Sequence, residues 1–80
     1  MHCLAARLSI VKAREVNRRI EQLGGVHTRT VGSHRRYRAE KGGVVAFTTV
    51  AQHAGDIPIG TLTAIERDLV PVFGEGWLRK

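Results

Sequence analysis

The stretch Ser33-His34-Arg35-Arg36-Tyr37-Arg38-Ala39-Glu40-Lys41-Gly42-Gly43-Val44-Val45-Ala46-Phe47-Thr48-Thr49-Val50 decides the fold. It contains two extended segments. One covers 33–39 around Tyr37, and the other covers 44–50, where valine, threonine and phenylalanine suit a pleated surface. Glu40-Lys41-Gly42-Gly43 between them reads as a turn. Upstream, 26–29 reads as a further strand, joined to the second around Thr30-Val31-Gly32, with Gly32 supplying the turn's freedom. Three short strands at this spacing predict a small antiparallel meander.

Helices flank the strands. In 12–23, Val16, Ile20 and Leu23 fall at i, i+4 and i+7 with Ala13 on the same side, as in an amphipathic helix. Arg14, Glu15, Arg18, Arg19, Glu21 and Gln22 take the rest of its surface, with Glu15 spaced to pair with Arg18 or Arg19. Gly24-Gly25 ends it. After a loop over 51–56 that carries His53 and Gly55, Pro58 and Thr61 stand where helices begin. Leu62, Ile65 and Leu69 then form an apolar stripe, and Pro71 is expected to limit the helix. The remainder, 72–80, reads as a mobile tail whose Trp77 and Leu78 either fold back or dock on a partner. The order predicts an α+β, α-β-β-β-α architecture with both helices on one face of the sheet and the other face open. It resembles the double-stranded-RNA-binding fold.

Eighty residues allow one small domain. At this size only somewhat over ~60% of the chain's surface can be buried, so the core is thin. A hydrophobic fraction of 42% is too high for a disordered chain. The single cysteine, Cys3, excludes an internal disulfide framework and a cysteine-rich zinc site, and suits a reducing cytoplasm. A net charge of +6 and a pI near 10.8 point to a polyphosphate partner. An acidic protein satisfies the same field. No apolar run reaches the ~18 residues that span a membrane, and 1–10 lacks the basic start and long apolar centre of a signal peptide.

The chemistry concentrates at Gly32-Ser33-His34. Period-2 alternation puts Ser33, Arg35, Tyr37 and Ala39 on one face of the second strand, and His34, Arg36 and Arg38 on the other. Tyr37 and Ala39 are the apolar members, so their face is expected to meet the helices and His34 to lie on the open face with two arginines. Histidine both takes and gives a proton near neutrality. Arginine forks bind phosphate and stabilise its developing charge. Together they suit RNA cleavage in which a proton leaves the ribose 2′-OH and another reaches the 5′-oxygen. His34 is the candidate general acid–base, with Ser33 supporting and Gly32 shaping the turn. His53, His27, Ser33 and Tyr37 are open candidates for the second proton-transfer group. Arg29, Arg35, Arg36, Arg38, Lys41 and His53 are the candidate RNA contacts. His27, His34 and His53 lack the spacing of a zinc site, and no carboxylate cluster suits magnesium, so no metal or other cofactor is expected.

These residues resemble the HicA-type (YcfA-like) toxins of bacterial toxin–antitoxin pairs. The matching pieces are a charged helix ending in Leu23-Gly24-Gly25, Gly32-Ser33-His34 with Tyr37 three on, Val50-Ala51-Gln52-His53, and Ile57-Pro58-Ile59-Gly60-Thr61-Leu62. The resemblance implies a metal-independent messenger-RNA endoribonuclease with its active histidine at His34. It also implies a HicB-type antitoxin that covers the active face. A non-catalytic RNA-binding module on the same fold is the alternative. Two features depart from the family pattern. Ala51 stands where proline often precedes the loop histidine, which loosens that loop. Segment 1–10 also precedes the usual start, and is expected to be a poorly ordered, dispensable extension before a domain over 11–71, with Val11 the initiator if its codon is GTG.

Overall fold

The computed structural model describes residues 12–52 and 55–78; the expectations for 1–10 and for His53 fall outside them. Helix α1 spans Ala13–Gln22, strands β1, β2 and β3 span Val26–Val31, His34–Lys41 and Val44–Ala51, and helix α2 spans Ile59–Phe73. The sheet has the order β1-β2-β3, antiparallel throughout, so the expected meander and α-β-β-β-α order are present. Both hairpins are tighter than the sequence suggested. Strand β1 runs on through Thr30 and Val31 to a two-residue turn at Gly32-Ser33, and β2 continues through Glu40 and Lys41 to a turn at Gly42-Gly43.

Both helices pack on one face. Helix α1 contributes Ala13, Val16 and Ile20 to the core and α2 contributes Leu62, Ile65, Leu69 and Val72. The sheet answers with Tyr37, Ala39, Ala46 and Val50. The backbone N–H of Lys12 donates to Glu15 Oε1 at 3.1 Å, satisfying a donor at the start of α1. At its end the N–H groups of Gly25 and Gly24 donate to the carbonyls of Ile20 and Glu21, at 2.8 and 3.1 Å, the paired bonds of a Schellman stop. The Lys12 ammonium meets Asp56 Oδ1 at 2.9 Å beside an isolated Lys12–Asp56 bridge, which ties the start of α1 to the approach to α2.

The C-terminal part departs from expectation. Pro71 lies inside the last turn of α2, which continues to Phe73. The ring removes the one N–H that would bond the Arg67 carbonyl, but only Val72 and Phe73 follow it in the helix, and Val72 is buried in the core. Gly74, at φ +89°, then reverses the chain, a conformation open to a residue without Cβ. As a result 72–78 folds back onto the domain, one of the two courses expected for Trp77 and Leu78. Trp77 is 1% exposed, and its indole N–H donates to the Glu66 carbonyl at 2.7 Å. Its ring meets Phe73 edge-on at 5.3 Å, and its carbonyl accepts from Arg19 Nε at 3.1 Å. A thin core gains its largest side chain by this return. Among the described residues no helix is long and apolar enough to cross a membrane.

Candidate functional site

His34 is held by the hairpin that precedes it and by the end of the neighbouring strand. It pairs with Val31 across β1 and with Ala51 across β3. Gly32 has φ +61° and Ser33 does not follow it into positive φ, the pattern of a two-residue turn with glycine first. One further bond fixes the turn: the Gln52 N–H donates to the Ser33 carbonyl at 2.6 Å, extending the β2–β3 ladder. The Gln52 side chain is itself anchored. Its amide exchanges hydrogen bonds with Asn17 of α1 at 2.8 and 3.3 Å and donates to the Val50 carbonyl at 3.0 Å. Asn17 is a buried polar group, so this pairing satisfies what burial would otherwise penalise.

Residues directly opposite one another on paired strands share a face. On the open face, one row is Val31–His34–Ala51, the next Arg29–Arg36–Thr49, and the next Val26–Arg38–Phe47. His34, Arg36 and Arg38 therefore do lie together, and Arg29 joins them. Arg38 is paired with Glu40, two residues along the same strand, at 2.9 Å. Arg29 and Arg36 have no acidic partner among the described residues. His34 is exposed.

The other candidates are placed elsewhere. Arg35 lies on the helix face, where its Nε donates to the Tyr37 hydroxyl at 2.7 Å and Nη2 meets Glu21 Oε2 at 3.4 Å. The Tyr37 hydroxyl donates to the same Glu21 oxygen at 2.7 Å. Its hydrogen bond to Tyr37, then the charge of Glu21, raise the Arg35 guanidinium above its ordinary value. Burial first, then the bond to Glu21, push the Tyr37 phenol up to about 12 against the opposing pull of Arg35. Tyr37 is thus a neutral core residue facing away from His34. Lys41 is at the far end of β2, on the helix side by alternation.

His27 is also moved away. Alternation back from Val31 and Arg29 would set it on the open face, but a register shift between His27 and Arg29 leaves Thr28 as an extra residue. The Thr28 hydroxyl donates to the Arg36 carbonyl at 3.3 Å at this bulge. His27 consequently stands opposite Tyr37, with ring centroids 5.7 Å apart, and bonds Thr30 Oγ1 at 2.8 Å. Of the candidates for a second proton-transfer group, only Ser33 is beside His34 among the described residues. The sequence pattern gave no functional role to Asn17, Glu21 or Phe47. A polar asparagine between Val16 and Ile20 was the one signal that pointed inward. Among the described residues no three His, Cys, Asp or Glu side chains gather to hold a metal ion.

No curated protein and no solved structure matches the chain. A family model does match, the one described as HicA toxin of bacterial toxin-antitoxin, over residues 13–69. Its span begins with α1, takes in the whole sheet with Gly32-Ser33-His34, and ends in α2. That is most of the chain and every element that positions the open face. This protein belongs to the HicA toxin family of bacterial toxin–antitoxin systems.

Proposed function

We propose that this toxin is a metal-independent endoribonuclease acting on messenger RNA in the cytoplasm, with His34 as general acid–base. The observation that carries the reading is His34 on one open face with Arg36 and its cross-strand neighbour Arg29, two cations left without acidic partners among the described residues. His34 removes the proton of a ribose 2′-OH, whose oxygen attacks the adjacent phosphorus. The bond from phosphorus to the 5′-oxygen breaks, that oxygen takes a proton, and a 2′,3′-cyclic phosphate and a 5′-hydroxyl result. Arg29 and Arg36 bind the phosphate oxygens and stabilise charge that builds on them. Arg38 extends the basic track; Arg35 and Lys41 face elsewhere. A HicB-type antitoxin with an acidic surface covers this face and silences it.

Replacing His34 by alanine tests the reading, with growth arrest and RNA cleavage in EDTA as readouts. The expected loss is ~100- to 10,000-fold in cleavage rate. Cleavage that persists undiminished in the variant would remove the mechanism. One observation favours a second reading, a non-catalytic RNA-binding module. Apart from arginines and His34, the only titratable side chain that these rows and β2 put on the open face is Glu40, already paired with Arg38. In that case the parent protein binds RNA in a salt-dependent way and cuts none.

A further inference from the structure

Phe47 occupies a place on the open face that the cleavage chemistry leaves unused. It is 56% exposed although it lies within a strand, and it stands directly opposite Arg38, which stands opposite the equally open Val26. Along β2 the face therefore carries an aromatic row, then the Arg29–Arg36 row, then the His34 row. Rows on one face repeat about every 6.8 Å and strands lie about 4.8 Å apart, so ring, cation pair and histidine are in reach of one short stretch of polynucleotide. We propose that Phe47 is a stacking platform for an unpaired nucleobase, and that the substrate class of this face is single-stranded RNA. The inference rests on reading His34 and its arginines as an RNA-cleaving surface, and adds which form of RNA fits it.

Two arguments favour this occupant. A base inside an A-form duplex has both faces stacked, so a flat ring on a sheet reaches only bases that are splayed out. Stacking on an aromatic ring is sequence-tolerant and combines with cations that track the backbone, the arrangement found here. An acidic protein segment also complements the arginines. It is less favoured, because the exposed Phe47 ring stands in the row next to the arginine pair, where a nucleobase gains a stacking partner and an acidic side chain gains none. The Arg38–Glu40 pair is half-exposed on both sides and so weak enough to yield Arg38 to a ligand.

The test uses the full chain carrying His34→Ala, so that RNA stays intact, and an oligoribonucleotide containing 2-aminopurine, offered single-stranded and as a duplex. The expected result is at least tenfold tighter binding of the single strand, with quenching of the 2-aminopurine fluorescence. Adding Phe47→Leu lowers single-strand affinity about tenfold and removes the quench, and Phe47→Trp restores both. In the active protein Phe47→Leu raises KM with kcat little changed. Equal binding of duplex and single strand, or an unaltered quench and affinity in Phe47→Leu, overturns the proposal. So does a Phe47→Leu variant that binds RNA normally but no longer binds the protein of the adjacent reading frame, which assigns the ring to protein docking. Failure of the platform is separable from failure of the enzyme reading: cleavage that depends on His34 while Phe47→Leu changes neither KM nor quench refutes the platform alone.

Discussion

Arg29 and Arg36 stand directly opposite each other on the open face of the sheet, with no acidic side chain paired to either among the described residues. Like charges in this relation weaken a sheet by about 0.2–1 kcal/mol relative to a neutral pair. Such an arrangement suits a ligand that brings negative charge. Arg36→Ala is accordingly expected to move stability and binding in opposite directions. The melting temperature stays level or rises slightly. RNA affinity falls, and the slope of log affinity against log salt becomes shallower by about one. Thermal melts and titrations across salt concentrations check this, and a fall in both properties would make Arg36 a structural residue.

The Glu21–Tyr37–Arg35 cluster predicts a stability change at alkaline pH. Tyr37 keeps its proton up to about 12 when folded, whereas an unfolded tyrosine loses it near 10. The folded state thus holds more protons between these values, and stability falls as pH rises through that window, with the contribution intact below about 10. Tyr37→Phe removes the titration at a cost of about 1 kcal/mol at neutral pH, because two hydrogen bonds are lost while the ring's packing remains. Urea denaturation of both proteins at several pH values is the measurement. The parent's stability should drop toward that of Tyr37→Phe as the pH approaches 12.

Trp77 anchors the chain's return onto the core, and its removal should be severe. Trp77→Ala is expected to cost about 3–5 kcal/mol, a large share of the about 5–15 kcal/mol that holds a typical domain. Trp77→Phe keeps much of the packing and loses the bond to the Glu66 carbonyl, so a loss of about 1–2 kcal/mol is expected. Denaturant midpoints distinguish this from a dispensable tail, which would show no change in either variant.

The Asn17–Gln52 pair couples α1 to the turn before His34, so its loss should reach the site. Asn17→Ala leaves the Gln52 amide short of partners at a cost of about 1–3 kcal/mol. Freed from α1, the Gln52 backbone holds Ser33 less firmly, and RNA cleavage is expected to fall along with stability. Gln52→Ala should act alike, and the double variant should lose less than the sum of the two. Additive losses would show that the two side chains act independently.

Much of this was legible from local pattern. The apolar stripe of Val16 and Ile20 became the buried face of α1, and alternation separated His34, Arg36 and Arg38 from Tyr37 and Ala39 as the structure has them. Arg35 was already on the helix side of that alternation, which argued against counting it as an RNA contact. Three features lay beyond local pattern. Pro71 continues within α2 because the buried Val72 beyond it holds the last turn. Trp77 joins the core because Gly74 aims it back. His27 leaves the open face because Thr28 bulges out of β1.

The sequence by itself determined the elements, their order and the face on which His34 lies, because side-chain alternation along a strand follows from the backbone of that strand alone. Only the tertiary structure decided that Arg29 meets Arg36, that Phe47 stands open beside Arg38, and that His27 turns toward Tyr37. Those relations depend on register, which belongs to two strands together and which a single extra residue resets.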